Sequence, residues 1–266
     1  MKQFIVDAFT DKLFGGNPAA VCVVEDFPLE NLMQNIAREN NLSETAFVAK
    51  SGDTYRLRWF TPAVEVDFCG HATLGAAYVI LTHVEKNSPA VVFETLSDKF
   101  IVERKGALFE MDFPAYTPQR IPVTDAMRDA VGATVLEAYL ARDLLMVLES
   151  AEVVENLAPD LNKLAKLDGM TQAVTAAGDK FDCVSRVFAP KVSVPEDPVT
   201  GSTHCLIAPY WSERLGKTKL IARQASARGG VLHCEVAGER VKVSGNAVLF
   251  AVSDLNVETG YEKSRG

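Results

Sequence analysis

The feature that most constrains the fold of this chain is a short motif that occurs twice, each time ahead of an unusual helix. Residues 58–62 read RWFTP and residues 186–190 read RVFAP, so both copies follow the pattern R-x-F-x-P. Each copy is followed by a turn and then by an apolar run that glycine opens, at residues 70–81 and 201–211. A single five-residue match has little weight, but the shared order of strand, proline, turn and helix predicts two equivalent lobes.

The two glycine-opened runs are apolar on nearly every side, which is typical of a helix that protein surrounds. They read GHATLGAAYVIL and GSTHCLIAPYW. We expect each helix to lie inside a curled sheet, with Gly75 and the two alanines after it allowing strands to come close. Pro209 has no backbone N–H and should kink the second helix or shorten it.

The rest of the chain consists mainly of short β-like runs, several of which alternate apolar and polar residues as strands with one wet face do. The expected strands lie at residues 4–6, 19–24, 45–49, 55–60, 90–95, 107–113, 144–149, 172–177, 183–189 and 240–245. One amphipathic helix is expected at residues 29–37. Three prolines within residues 113–122 mark a connector, so we predict an N-terminal lobe at 1–116, possibly completed by 253–266, and a C-terminal lobe at 117–252.

Charge and composition exclude several functional classes. The net charge of −8 disfavours nucleic acid and anionic membrane as partners. No segment approaches the roughly 18 apolar residues of a membrane span, and the N-terminus lacks the apolar core of a signal peptide. The five cysteines are scattered without a C-x-x-C pair, which favours free thiols in a reducing compartment. We therefore expect a cytoplasmic protein.

Three clusters could carry chemistry. Glu44 stands at an element boundary amid apolar neighbours, where a desolvated carboxylate suits acid-base catalysis; a solvated turn residue or a cap is the commoner alternative. His71 lies in the first turn of the first buried helix, beside unpaired N–H groups that attract a carboxylate, although a lone histidine is more often a capping or packing residue. Residues 195–204 read PEDPVTGSTH and concentrate polar groups ahead of the second buried helix, where Ser202 and Thr203 could cap it or bind an anion.

Metal and thiol chemistry are weaker alternatives. Cys69 and His71, or His204 and Cys205, could suggest a metal site, but adjacent residues rarely reach one ion together, so no metal is expected. Cys69 could act as a nucleophile, yet a buried structural thiol is the commoner state of a free cysteine. No G-x-G-x-x-G or G-x-x-x-x-G-K-[ST] motif supports nucleotide binding.

Taken together, several blocks resemble the phenazine-biosynthesis PhzF-like family. They are VDAFTDKLFGGNPAAV, NLSETAF, RWFTPAVEVDFCGHATLG, RVFAPKVSVPEDPVTGSTH, APYW and RQASARGG, in order from residue 4 to about 250. The resemblance implies an α+β fold of the diaminopimelate epimerase type, with two pseudo-repeated lobes, each a curled, mostly antiparallel sheet around a central helix, and a site in the cleft between them.

The resemblance also implies the chemistry. Glu44 matches the acid-base glutamate of the family, and His71, Asp197 and Ser202 match the other polar residues around the substrate. Further binding groups are expected from the neighbouring positions Asn17, Ser43, Gly70, Ala72, Thr73, Gly201 and Thr203. The expected reaction is a proton shift within a small carboxylated, cyclic or aromatic-precursor metabolite, as in the isomerisation of dihydro-3-hydroxyanthranilate, with no cofactor and in a homodimer.

Two other functions stay open at this point. In the epimerase relatives two cysteines act as opposing bases, and Gly70 and Asp197 stand where those cysteines would be. That departure favours a one-base proton shift, but an epimerase or racemase of an amino acid or another α-carbon acid, using Glu44 and Asp197, is the runner-up. A non-catalytic homologue that binds a small molecule is the third reading.

Overall fold

The computed structural model describes residues 1–96, 99–192 and 194–258, and it divides into two compact units. Unit 1 contains Met1–Leu13, Pro18–Met111 and the segment that starts at Asn246. Unit 2 contains Phe14–Asn17 and Asp112–Gly245. Of the segment 253–266 that could complete the N-terminal lobe, residues 259–266 lie outside the described residues.

Strands dominate both units. In chain order they are β1 (Lys2–Ala8), β2 (Asn17–Val24), β3 (Glu44–Ser51), β4 (Thr54–Phe60), β5 (Glu65–Val66), β6 (Ala90–Glu94), β7 (Lys99–Lys105), β8 (Leu108–Pro114), β9 (Gln119–Ile121), β10 (Val135–Leu140), β11 (Leu144–Leu148), β12 (Gln172–Ala177), β13 (Cys183–Ala189), β14 (Val194–Asp197), β15 (Lys219–Gln224), β16 (Gly230–Ala237), β17 (Arg240–Gly245) and β18 (Ala247–Asp254). The helices are α1 (Glu30–Asn40), α2 (Gly70–Val79), α3 (Asp125–Val131), α4 (Ala151–Glu155), α5 (Leu161–Leu164) and α6 (His204–Leu215).

Strand pairing follows the same scheme in the two units. In unit 1, β2 runs parallel to β3, β3 antiparallel to β4, and β4 parallel to β6, which continues antiparallel into β7 and β8. In unit 2, β11 runs parallel to β12, β12 antiparallel to β13, and β13 parallel to β15, which continues antiparallel into β16 and β17. This correspondence confirms the predicted fold class of two pseudo-repeated, mostly antiparallel lobes.

The central helix of unit 1 is α2, which packs against β1, β3 and β18. Nearly all of its side chains are buried, as its apolar sequence predicts. A Cβ added at Gly75 would meet side-chain atoms of Val6, Ala19 and Val21 at 3.7–3.8 Å. Strands β1 and β2 therefore lie close to the helix at this glycine, at a distance that a methyl group would fill with ordinary van der Waals contacts.

The amphipathic helix of unit 1 covers the other side of the sheet. Met33, Ile36 and Ala37 of α1 are buried against Phe47 and Phe60 of the neighbouring strands. Full burial of a side chain as large as Met or Ile contributes about 1.5–3 kcal/mol. Leu29, which we expected on this apolar face, is instead the exposed N-terminal cap of the helix.

The second central helix, α6, differs from its prediction at both ends. It packs against β15, β16 and β17 but begins at His204, so residues 201–203 form a turn ahead of it. Pro209 does not shorten it, because the helix continues to Leu215. Because Pro209 has no N–H, it cannot donate the usual helix hydrogen bond to the carbonyl of Cys205. That carbonyl instead accepts a hydrogen bond from the backbone N–H of Tyr116 at 2.8 Å.

The ten predicted strands are all confirmed, within about two residues at their ends. Sequence analysis did not predict the strands β5, β7, β9, β10, β14, β15, β16 and β18 or the short helices α3, α4 and α5. Among the described residues, no helix combines the length and the hydropathy that a membrane crossing requires.

Candidate active site

The strongest acid-base arrangement in unit 1 is the contact between Glu44 and His71. Glu44 is the first residue of β3 and His71 the second residue of α2, and 3.1 Å separates Oε2 of Glu44 from Nε2 of His71. The histidine side chain is 6% exposed and the glutamate side chain 18% exposed. Burial makes the electrostatic attraction within such a carboxylate–imidazole pair stronger than it would be in water.

The end of α1 sets the position of Glu44. Asn41 adopts a left-handed conformation with φ of 50° and its N–H bonds to the carbonyl of Ala37, which stops the helix three residues before the glutamate. The side-chain amide of Asn40 then donates to the hydroxyl of Thr45 and to Oε1 of Gln3, both at 3.0 Å. Helix α1 is thereby fixed to β3 and β1 beside the Glu44 carboxylate.

Cys69 lies on the other side of the imidazole ring, with its Sγ 3.4 Å from Nδ1 of His71. Burial, together with the nearby Glu44 carboxylate, raises the pKa of the Cys69 thiol to about 11, so the sulfur keeps its proton near neutral pH. Burial opposes a charged His71, whereas Cys69 and Glu44 favour it, and the balance raises the pKa of His71 well above its ordinary value. Because the thiol is neutral, we assign this stabilisation of the imidazolium chiefly to Glu44.

The same three side chains are the group that could hold a metal ion among the described residues. One ligand atom each from Glu44, Cys69 and His71 lies within 4.8 Å of the others. Carboxylate, thiolate and imidazole all bind zinc, but the thiol here would first have to lose its proton. The expectation of a metal-free enzyme stays a prediction.

The other predicted binding positions of unit 1 adjoin this pair. Ser43 directly precedes Glu44, and Gly70 and Ala72 flank His71 in the buried first turn of α2. The hydroxyl and the backbone N–H of Thr73 both donate to the carbonyl of Cys69, at 2.6 and 3.1 Å. The N–H of Thr73 is therefore engaged within the helix, which leaves the earlier amides of this turn for an anion.

In unit 2, Asp197 is held by two hydrogen bonds to its carboxylate. The side-chain amide of Asn17 donates to Oδ1 at 2.7 Å, and the hydroxyl of Thr200 donates to Oδ2 at 2.5 Å. Asn17 also donates to the carbonyl of Val199 at 3.0 Å. Asp197 ends strand β14.

Gln224 supports this region through hydrogen bonds, and the sequence analysis did not identify it. Its side-chain amide donates to the carbonyl of Asp197 at 2.7 Å, and its Oε1 accepts from the N–H of Thr200 at 2.8 Å. Gln224 is fully buried at the end of β15. The signal in the sequence was the position of Gln224 at the end of an apolar run, within the RQASARGG block. A side-chain amide that is buried there needs hydrogen-bond partners, so it indicates a contact with another polar segment.

Thr203 is the N-cap residue of α6, but neither its side chain nor that of Ser202 makes a capping hydrogen bond, so of the two alternatives side-chain capping is wrong. Oγ of Ser202 instead accepts from Nη2 of Arg142 at 3.0 Å, and the hydroxyl of Thr203 donates to Oδ2 of Asp143 at 3.0 Å. Arg142 and Asp143 form an ion pair of 2.8 Å. The hydroxyls of Ser202 and Thr203 therefore belong to a partly buried charged network instead, and the buried Gly201 precedes them in the same turn.

The comparisons with known proteins support one assignment. The family model described as "Phenazine biosynthesis-like protein" matches residues 6–253. The chain belongs to this family. A curated relative from Pseudomonas aeruginosa, named an uncharacterized isomerase, is 48% identical over 96% of this chain and 98% of its own.

Solved structures of this PhzF-like family have the same fold. A PhzF family protein of Enterococcus faecalis matches with a TM-score of 0.95 and 47% identity, over 96% of this chain and 99% of the other. A protein of Agrobacterium radiobacter described as a probable proline racemase matches with a TM-score of 0.60 and 10% identity, over 98% of this chain and 94% of the other. The latter likeness concerns the fold alone.

The predicted site residues of this PhzF-like chain thus fall into three local groups. Glu44 and His71 form the first, Asn17 and Asp197 the second, and Ser202 and Thr203 the third, through the charged pair Arg142–Asp143. That the three groups act on one substrate stays a prediction.

Proposed function

We propose that this PhzF-like chain is a cofactor-independent isomerase that moves a proton within a small carboxylated metabolite, cyclic or an aromatic precursor. Dihydro-3-hydroxyanthranilate is the model for such a substrate. The enzyme class follows from the family: the chain is an isomerase, as the curated relatives of Pseudomonas aeruginosa and Halalkalibacterium halodurans are named.

The observation that carries the proposal is the contact of 3.1 Å between Glu44 and the buried His71. A carboxylate can take a proton from a carbon atom and return it to another carbon of the same molecule, provided that water is kept away from it. His71 orients the carboxylate and, as an imidazolium, stabilises negative charge on it. In this reaction one base suffices, and the proton is conserved.

Other groups would bind the substrate. The amides at the start of α2 favour an anion, since the first N–H groups of a helix have no partner within the helix. Asp197, with its carboxylate held by Asn17 and Thr200, is the proposed proton relay or ring-orienting group. Ser202 offers a hydroxyl whose oxygen already accepts from Arg142.

The experiment is a Glu44→Gln exchange. Glutamine keeps the shape of the side chain but cannot accept a proton, so turnover should fall by about 10²–10⁴-fold or more. The assay first screens aromatic and cyclic carboxylic acids for thermal stabilisation of the protein and then follows isomerisation of the ligands that bind by NMR. Ligand affinity and melting temperature should change little.

Glu94→Gln is the matched control, because Glu94 lies in the same unit and forms a surface ion pair with Lys99. Its turnover should equal that of the unchanged protein. Substantial activity in Glu44→Gln contradicts the assignment of the base. Loss of activity after dialysis against a chelator, with recovery on metal addition, contradicts cofactor independence.

A second candidate function is epimerisation or racemisation of an α-carbon acid. A second carboxylate among the predicted site residues, that of Asp197, favours it, because inversion at a carbon atom can use two bases. Turnover in deuterium oxide separates the two reactions: a shielded single base returns mostly the original hydrogen to the product, whereas two bases place solvent deuterium on the inverted centre. We expect retention of the substrate hydrogen. Full labelling at a single inverted carbon would instead support the epimerase.

A further inference from the structure

Arg142 holds an unusual position in unit 2. Its guanidinium donates from Nε and Nη2 to the two carboxylate oxygens of Asp143, at 3.3 and 2.8 Å. Asp143 is fully buried and also accepts hydrogen bonds from the N–H of Thr171 at 3.2 Å and the hydroxyl of Thr203 at 3.0 Å. The acceptor capacity of the aspartate is thus used inside the protein, and the aspartate fixes the arginine in one orientation.

Part of the arginine side chain remains accessible. It is 29% exposed, and Cζ of its guanidinium lies 5.4 Å from the centre of the Tyr116 ring. Nη2 also donates to Oγ of Ser202 at 3.0 Å. Within the described parts of the chain, no hydrogen bond engages Nη1, so its two N–H donors are available to a ligand.

The contact between Arg142 and Ser202 has a consequence for the serine. Arginine can only donate, so the serine oxygen acts as the acceptor and its O–H must point to another acceptor. Ser202 is partly exposed and lies in the turn before α6. A hydroxyl that can donate, next to the two unengaged N–H donors of a fixed cation, can form a two-point binding group for a carboxylate.

We propose that Arg142 and Ser202 form a carboxylate subsite, in which one substrate oxygen accepts from Nη1 of Arg142 and the other accepts from the hydroxyl of Ser202. Asp143 is a positioning residue for this subsite, since it contacts the arginine and not the ligand. The inference rests on the proposed function in one respect, namely that the substrate carries a carboxylate. The subsite gives a role to Ser202, which makes no capping hydrogen bond to α6 and lies next to the Arg142–Asp143 ion pair.

The test measures binding of matched acids and amides by isothermal titration calorimetry. The probes are benzoate and benzamide, anthranilate and anthranilamide, and cyclohexanecarboxylate with its carboxamide. The unchanged protein should bind the acid at least about tenfold more tightly than the amide in one or more pairs, as a charged hydrogen bond predicts. Arg142→Met should remove that preference, and Ser202→Ala should reduce it by a smaller factor.

Arg240→Met is the control, because Arg240 forms an exposed ion pair with Asp112 in the same unit. It should keep the preference for the acid. Since Arg142→Met leaves a buried carboxylate without its partner, the double variant Arg142→Met/Asp143→Asn is measured as well if the single variant does not fold. The double variant should likewise bind acid and amide equally.

Retention of the acid preference in Arg142→Met, or in the double variant, overturns the subsite. So does an unchanged protein that prefers the acid in none of the three pairs. These titrations detect no turnover, so they are independent of the Glu44→Gln assay. A protein that discriminates acid from amide through Arg142 but isomerises nothing fails the proposed function and retains the subsite.

Discussion

His204 shows how one buried side chain can be structural although it lies within a functional motif. Its ring is fully buried, and Nδ1 lies 2.8 Å from the carbonyl of Thr200, to which it donates as a neutral imidazole. Burial lowers the pKa of His204 to about 4. The histidine therefore ties the start of α6 to the turn that follows Asp197, and it carries no charge at neutral pH.

The lowered pKa of His204 predicts a pH-dependent stability. In the unfolded chain a histidine titrates near 6.5, so between pH 6.5 and pH 4 the unfolded state binds a proton that the folded state does not. The contribution of His204 is present above pH 6.5 and is lost as the pH falls. Between pH 7 and pH 5 the loss amounts to about 2 kcal/mol.

His204→Gln keeps a side-chain donor near the Thr200 carbonyl but removes the titration. Urea unfolding should therefore show that the difference in unfolding free energy between pH 7 and pH 5 is about 2 kcal/mol smaller in His204→Gln than in the unchanged protein. His233→Gln, at a partly exposed position of β16, should change that difference less. Equal pH dependence in the unchanged protein and His204→Gln would show that His204 is not the group responsible.

Single residues of the site were predictable to different degrees. Glu44 and His71 stood out by their positions at element boundaries, but only the fold brings them within 3.1 Å, because β3 and α2 are separated by the β4–β5 hairpin. Arg142 and Asp143 gave no signal, since a charged pair between two apolar runs is also typical of an ordinary surface turn. Their burial depends on Thr171 and Thr203, which are remote in sequence.

At the scale of elements, the central helices show what composition can and cannot determine. An apolar run opened by glycine correctly predicted that α2 and α6 are buried. The propensity rule for Pro209 failed because it considers only the helix itself. Tyr116, from the connector after β8, supplies the hydrogen bond that the Cys205 carbonyl lacks. A tertiary contact of this kind is not visible in local sequence, so the length of α6 was not predictable from it.

The strands that sequence analysis did not predict also depend on contacts that local sequence does not show. β7 and β18 carry many polar or exposed residues, and β5 contains only Glu65–Val66. Their backbones are nevertheless held by neighbouring strands, since β18 pairs with β1 along its whole length. Short or polar strands take their conformation from a partner rather than from their own side chains.

At the scale of the whole molecule, the repeated R-x-F-x-P motif has one structural explanation in both units. Nε and Nη2 of Arg58 donate to the carboxylate of Glu65 at 2.6 and 2.7 Å, and those of Arg186 donate to Glu196 at 2.7 and 2.9 Å. In each case the glutamate lies on the next short strand. The guanidinium also lies 5.2 Å from the ring of Phe60 and 5.1 Å from that of Phe188.

These paired contacts hold the chain where it leaves the long strand of each unit and turns toward the central helix. In unit 2 the consequence for the site is direct, because Glu196 precedes Asp197 in β14. A bidentate pair that fixes Glu196 also fixes the backbone of Asp197. The feature that predicted two equivalent lobes is therefore an ion pair with an aromatic support, conserved in geometry between the two halves of one chain.

Double-mutant cycles on the two pairs test this equivalence. The cycle of Arg58→Met with Glu65→Gln and that of Arg186→Met with Glu196→Gln should each give a coupling energy of about 1–2 kcal/mol in urea unfolding, because bidentate and mostly buried pairs exceed the usual value for surface pairs. Their side chains are 13–22% exposed, against 48% for both members of the control pair Arg240–Asp112. The cycle of Arg240→Met with Asp112→Asn should therefore give less than about 0.5 kcal/mol. Strong coupling in one unit with none in the other would mean that the two motifs share a sequence pattern without sharing its energetic role.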